Sequence, residues 1–348
     1  MLLVFIIGGI SIVKTFKSTD KAAVISAFSS FNPVFLVAAV ACFILYLSFE
    51  SLAYKGLLNR LGENTTFFRS LGYSMSDFLF SSITPGGSGG QPGQFYFMVK
   101  DGMSPSNSVF SLFPFNMVYH ICLIVIGAIA IITGAMNVIA DVNLIKILII
   151  YGLLAQLLMV IWLSLALHSK RVLPIIVKTF FNIARKVPFL KRLANKEAEC
   201  NEHMEQYKVN GQWLKRNPAT ALKLAFWIMG MLFFSYSVPY FIYRGLGYAQ
   251  LNWIQFVLLQ GLVVIALESI PIPGGVGVAE HTFTGVYSAI TISGGGFALM
   301  ILTRAVNLYG GMLFGILGIA ILALSWNKND IKLRTRGMVS TNIKTLAS

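Results

Sequence analysis

The chain has 348 residues, 56% of them hydrophobic and only 11% charged, with 27 Lys and Arg against 13 Asp and Glu and a formal net charge of +14. That composition excludes an ordinary soluble domain and points to an all-α, polytopic helical membrane protein. The positive charge does not imply nucleic acid: eleven of the 27 basic residues lie between Ser169 and Asn217 and five follow Trp326, beside apolar runs, as in cytoplasmic loops facing anionic lipid.

Taken in chain order, residues 1–16 are apolar up to Lys14. At about 1.5 Å per residue they reach about 24 Å, short of a hydrocarbon core of about 30 Å, so they read as a short first membrane helix or the remnant of a longer one. Continuous spans are expected at Pro33–Tyr54, Ser106–Gly134, Leu144–His168, Ala219–Tyr243 and Phe297–Ser325. Two further apolar segments are broken, Phe67–Val99 at Thr84–Gly93 and Leu251–Ser293 at Pro271–Gly277. Proline removes a backbone donor and glycine adds backbone entropy, so each break is expected to divide its segment into half-helices that form a re-entrant hairpin.

This reading divides the chain into a first membrane half, 1–168, with hairpin 67–99, and a second, 218–326, with hairpin 251–293. Between them lies a basic cytoplasmic interfacial segment, 169–217, in which Arg171–Leu193 has the pattern of an amphipathic surface helix and Glu197–Glu205 that of a solvated linker. A basic cytoplasmic tail, 327–348, follows. Cys42, Cys122 and Cys200 are far apart, without C-x-x-C or metal spacing, so neither a disulfide framework nor a zinc site is expected, and no cofactor is implied.

The two breaks share a motif, P-G-G-x-G, at Pro85-Gly86-Gly87-Ser88-Gly89 and Pro273-Gly274-Gly275-Val276-Gly277, 188 residues apart. Irregular backbone at membrane depth is tolerated only where it is buried in protein or lines a polar cavity. The same offset carries Pro33–Tyr54 onto Ala219–Tyr243, and brings Ser106–Gly134 close to Phe297–Ser325. With the basic segments cytoplasmic, the first hairpin opens inward and the second outward, the pattern of an inverted-topology repeat built for alternating access.

Ionisable residues in apolar spans are costly and mark function by default. Arg304, with Asn307 one turn on, could hold a phosphate bidentately, or could pair with Glu280 near the outer interface. Asp77 and Gln91 flank or enter the first break, and Glu268 and Glu280 flank the second. These carboxylates could bind a head-group amine or a coupling proton, or hydrogen-bond backbone freed by the breaks. Gly86, Gly87, Gly89, Gly274, Gly275 and Gly277 could bring backbone N–H groups to a lipid phosphate, or could serve close helix packing. Glu50 reads as an interfacial residue and His120 as a packing residue. Walker, H-E-x-x-H and G-x-S-x-G motifs are absent from the sequence, which gives an ATPase or hydrolase little support.

The run Ser81-Ser82-Ile83-Thr84-Pro85-Gly86-Gly87-Ser88-Gly89-Gly90-Gln91-Pro92, followed by Tyr96-Phe97-Met98 and Lys100-Asp101-Gly102, resembles the transmembrane (flippase) domain of the lysylphosphatidylglycerol synthase, or multiple peptide resistance factor, family. Ile272 to Glu280 and Arg304 are similar to its second half. The resemblance implies a multi-pass protein of the bacterial cytoplasmic membrane, C-terminus cytoplasmic. It further implies movement of phospholipids with modified head groups, such as lysyl-phosphatidylglycerol, between leaflets, and through that antibiotic-peptide resistance. The soluble lysine-transferring domain of the full-length enzymes is expected to be missing, so catalysis is the less favoured reading. A lipid flippase is therefore expected, partnered by membrane phospholipids and compatible with a lipid-modifying synthase partner or an oligomer. The alternatives are a lipid head-group-modifying membrane enzyme or its subunit, and a small-solute transporter.

Overall fold

The computed structural model describes residues 20–84, 87–139, 143–168, 207, 209–268, 270, 277–292 and 294–325. All regular structure among them is helical: α1 (Lys21–Ser29), α2 (Pro33–Arg60), α3 (Phe67–Ile83), α4 (Gly90–Lys100), α5 (Pro105–Ile132), α6 (Asn143–His168), α7 (Pro218–Gly245), α8 (Trp253–Glu268), α9 (Val278–Ser288), α10 (Gly295–Arg304) and α11 (Gly311–Ser325). A short 3-10 turn, Ala135–Ile139, joins α5 to α6, and a π-turn, Ala305–Gly310, joins α10 to α11. Five helical stretches are long and apolar enough to cross a membrane: Pro33–Arg60, Pro105–Ile132, Ile145–Leu167, Pro218–Gly245 and Gly295–Leu324. They correspond to the five expected continuous spans. The chain is a multi-pass helical membrane protein.

Local chemistry sets the helix ends. α2 begins with Asn32, whose side chain accepts from the Val34 N–H at 3.0 Å, followed by Pro33, whose missing donor costs nothing in a first turn. α7 begins with the same pair, Asn217-Pro218. Both helices are 28 residues long, and each is followed by a left-handed glycine, Gly62 at φ 86° and Gly247 at φ 87°, which stops it. α2 and α7 pack against each other along their length, Phe49 settling onto Gly230 between Trp227 and Phe234.

Both broken segments fold back on themselves. In the first, a Cβ at Gly93 would collide with the Phe80 ring, and the Tyr73 hydroxyl donates to Asp101 at the far ends of α3 and α4. Arg69 lies 3.5 Å from the same carboxylate. In the second, the Tyr287 hydroxyl donates to Gln260 Oε1 at 3.0 Å and its ring stacks on Phe256, which brings α9 against α8. The first break is shorter than expected. Gly90–Gly93 belongs to α4, because Pro92 falls in the first turn, where its missing N–H has no helical acceptor to lose.

Glycines set the spacing of the remaining helices. α11 lies on α3 through Gly311, Gly315 and Gly318, against Phe78, Leu79 and Met75. A Cβ at Gly152 of α6 would collide with the Ile265 carbonyl oxygen of α8. At one end of the bundle Glu63 accepts from Ser104 N–H at 3.1 Å and from Asn107 at 2.8 Å, and Asn210 donates to Asn107 Oδ1 at 2.8 Å. Residues 209–216 are thereby tied to the base of α5. Cys42 and Cys122 are buried free thiols, as small core residues should be. The expected first helix at 1–16, the amphipathic and linker segments at 171–205, Cys200 and the tail after Trp326 lie outside the described residues.

Candidate functional site

A cavity of about 670 Å³ lies where the two halves of the chain meet. Polar positions at helical spacing build its wall. Tyr46, Glu50 and Tyr54 recur every fourth residue on one face of α2, while Asp77 and Ser81 do so on α3. Gly87 and Gln91 come from the first break and α4, Asn116, Tyr119 and His120 from α5, and Gln156 from α6. From the second half come Glu268 at the end of α8 and Arg304 at the end of α10. Apolar residues, among them Phe115, Met231, Val264 and Phe283, fill the wall between them.

Three carboxylates therefore face one space. Glu50 is only 4% exposed, with the Ser74 and Tyr46 hydroxyls beside it and Asp77 within charge–charge reach. Glu268 is exposed at the end of α8, where the Tyr119 hydroxyl donates to Oε1 and Gln156 Nε2 donates to Oε2 at 3.5 Å. With its amide nitrogen so engaged, Gln156 turns its oxygen to His120 Nδ1, which is therefore the protonated ring nitrogen. His120, read from sequence as a packing residue, has a satisfied hydrogen bond and also lines the cavity.

Arg304 and Glu280 form a buried pair. Nε and one terminal nitrogen of the guanidinium donate to Glu280 Oε1 at 2.9 and 2.8 Å, with Glu280 fully buried and Arg304 8% exposed. The other Glu280 oxygen accepts from the Gly277 N–H, closing the N-terminus of α9 as the acidic residue of a capping box does. Of the two roles open to Arg304, the structure contains the pairing. The π-turn begins at the next residue, a distortion that recurs at functional sites.

The glycines divide by role. Gly89 and Gly277 are the N-caps of α4 and α9, so the last glycine of each P-G-G-x-G starts the following half-helix. Gly87 at φ 70° and Gly277 at φ 95° hold backbone that other residues rarely adopt. Gly90, which carried no expectation, serves close approach: a Cβ there would collide with Ser81 Oγ and come within 2.5 Å of Asp77 Oδ1.

Of the residues singled out in the sequence, Asp77, Gly87, Gln91, Glu268 and Arg304 line the cavity, with Gly89, Gly277 and Glu280 in the elements around it. Pro85, Gly86, Pro273, Gly274 and Gly275 lie outside the described residues. The sequence reading of Glu50 as interfacial is corrected, because α2 continues to Arg60 and so carries Glu50 inside the bundle. The signal that could have found it is the Tyr46/Glu50/Tyr54 stripe. Among the described residues no group of three or more His, Cys, Asp or Glu could hold a metal ion. The arrangement is an acid-rich polar chamber between helices, able to hold a cationic group in a setting of low dielectric.

No curated protein matches the chain. The family described as "Lysylphosphatidylglycerol synthase TM region" matches residues 1–315, most of its length, and the chain belongs to that family.

Proposed function

We propose that the protein is a lipid flippase that moves phospholipids with amine-bearing head groups, such as lysyl-phosphatidylglycerol, between leaflets. The observation that carries this reading is the charge balance of the cavity: among the described residues Glu50, Asp77 and Glu268 face it, and the one arginine in its wall is held by Glu280. Such a chamber attracts an aminoacyl group and disfavours an unmodified anionic head group, because a phosphate with no amine beside it meets carboxylates at low dielectric. The apolar outer face of α6, with Leu154, Leu158 and Trp162 exposed beside the cavity residue Met159, supports a path on which acyl chains stay in lipid.

In this reading Glu268 and its partners Tyr119 and Gln156 receive the amine. Gly87, Gly89 and Gln91 of the first break approach the phosphate, and Pro85, Gly86, Pro273, Gly274 and Gly275 shape the two breaks. The halves 1–168 and 218–326 act as inverted repeats with re-entrant hairpins at 67–99 and 251–293, in a bacterial cytoplasmic membrane with both basic segments, 169–217 and 327–348, on the cytoplasmic side. A lipid-modifying synthase would supply the substrate.

The test is leaflet-resolved movement of labelled lysyl-phosphatidylglycerol and phosphatidylglycerol in liposomes holding the purified chain. Faster movement of the lysyl lipid, reduced at least tenfold in Glu268→Gln, is the expected result. Equal rates for the two lipids, or no movement of either by folded protein, would remove the proposal.

A further inference from the structure

The wall of the cavity formed by α5 presents hydrogen-bond acceptors whose own donors are engaged elsewhere. Asn116 and His120 stand one turn apart on one face of that helix, and both line the cavity. Asn116 Nδ2 donates to the Leu112 carbonyl at 2.7 Å; a carbonyl can only accept, so the amide is fixed with its nitrogen on the backbone and Oδ1 turned away from it. His120 Nδ1 donates to Gln156 Oε1, and the Gln156 amide nitrogen donates in turn to Glu268 Oε2 at 3.5 Å. In the neutral ring the other nitrogen, Nε2, is then an acceptor. Among the described residues nothing donates to Asn116 Oδ1 or to His120 Nε2. Both side chains are only partly buried, so these acceptors are open to the space they line.

The directions of these bonds decide which ligand groups the acceptors can serve. The two nitrogens of an imidazole point away from each other across the ring. Nδ1 is aimed at Gln156 and, through it, at Glu268, so Nε2 is aimed away from that carboxylate. A single ammonium seated on Glu268 beside Tyr119 has the Gln156 amide and the imidazole ring between itself and Nε2. The donor that reaches Nε2 is therefore a second group, carried farther along the same head group. A hydroxyl or a second amine meets that need, and an ethanolamine head group has neither. In the empty cavity water serves both acceptors, and a head group that displaces it without replacing its hydrogen bonds loses affinity.

We propose that His120, with Asn116, determines head-group specificity: the pair accepts hydrogen bonds from a second donor of the head group whose amine is held at Glu268. The cavity thereby selects lipids that carry an amine together with a hydroxyl or a second amine over lipids that carry an amine alone. That role rests on the reading above of Glu268 as the partner of the amine. Lysyl-phosphatidylglycerol offers both kinds of second donor, the remaining glycerol hydroxyl and one of its two amines.

The experiment is the affinity of the purified full chain in detergent for short-chain lipids, read from the rise in its unfolding midpoint at about pH 8, where an imidazole is neutral. The probes are the dihexanoyl forms of lysyl-phosphatidylglycerol, of alanyl-phosphatidylglycerol, which keeps the hydroxyl but has one amine, and of phosphatidylethanolamine, which has one amine and no hydroxyl. The lysyl lipid should bind about tenfold more tightly than the ethanolamine lipid, the contribution of one hydrogen bond in a half-buried site. An alanyl lipid that binds like the lysyl lipid makes the hydroxyl the second donor; one that binds like the ethanolamine lipid makes it the second amine. His120→Asn keeps a donor at the place of Nδ1 but has no acceptor at that of Nε2, so the preference should fall to about twofold or less. His120→Gln, whose amide oxygen can take the place of Nε2, should restore part of it. Equal affinity for the lysyl and ethanolamine lipids on the unaltered chain, a comparison that needs no variant to fold, would overturn the proposal. So would a preference that survives in His120→Asn, which would give the discrimination to the acids of the cavity. Binding with this preference by a chain that moves none of the lipids would remove the flippase reading alone, and no binding of any of them would remove both.

Discussion

Arg304 and Glu280 show how one buried pair can serve both stability and the site. Removing one member of a buried ion pair leaves the other charge stranded at low dielectric, which costs about 3–5 kcal/mol. Arg304→Ala should therefore lower the unfolding free energy by about that amount in detergent, where a change below about 1 kcal/mol would show that the pair is not structural. Loss of lipid movement in that variant would not by itself assign Arg304 to the lipid. Glu268→Gln is the cleaner probe, since Glu268 is exposed to the cavity and its neighbours Tyr119 and Gln156 can still bond to an amide. Gly56 supplies a contrast. It lies inside α2 with nothing within 4 Å of the place a Cβ would take, so Gly56→Ala should stabilise by about 0.5–1 kcal/mol through helix propensity alone. A lower unfolding midpoint for Gly56→Ala would show that this face of α2 is covered rather than open.

Between helices, the contact of α11 with α3 matters most for the cavity, because α3 carries Asp77 and α11 follows the π-turn after Arg304. Lipid is as apolar as leucine, so helices in a membrane associate by close packing of small residues, and Gly311, Gly315 and Gly318 meet that need. A Cβ at Gly315 would lie 2.5 Å from Leu79 Cβ and 2.9 Å from the Met75 carbonyl oxygen. Backbone cannot yield as a side-chain tip can, so Gly315→Leu should cost about 1–3 kcal/mol or more and lower the unfolding midpoint. An unchanged midpoint would place α11 elsewhere. The clamp at the other end of the hairpin, Tyr73 to Asp101, is testable by a double-mutant cycle of Tyr73→Phe and Asp101→Asn, with a coupling of about 1–3 kcal/mol expected.

Across the molecule, the order long helix, broken pair, long helix occurs twice, with 28, 17 and 11 residues in α2, α3 and α4 and 28, 16 and 11 in α7, α8 and α9. If the halves are inverted repeats, the two hairpins open to opposite faces. Lys100 at the end of α4 and Gln250 before α8 are both exposed. With Cys42, Cys122 and Cys200 replaced by alanine, a cysteine at 100 should react with an impermeant maleimide only from the cytoplasm, and one at 250 only from outside. Labelling of both from one side would end the inverted-repeat proposal.

Spans, breaks and the recurrence of one helix order along the chain were legible in the sequence because each depends on local chemistry. Twenty apolar residues need a membrane wherever they stand, and a run of proline and several glycines disfavours helix through its own backbone. The candidates Asp77, Gln91, Glu268 and Arg304 were legible for the same reason, since a charge or amide in an apolar run is conspicuous without neighbours. Glu50 was not, because its role depends on how far α2 runs past it and on the arrival of Asp77 from another helix. The Arg304–Glu280 pair stayed one of two options for want of a distance across 24 residues. Composition and helix periodicity determined which residues are costly to bury; only the tertiary structure decided which of them share a cavity and which neutralise one another, because charge balance in a low-dielectric space is set by separations of a few ångströms between residues far apart along the chain.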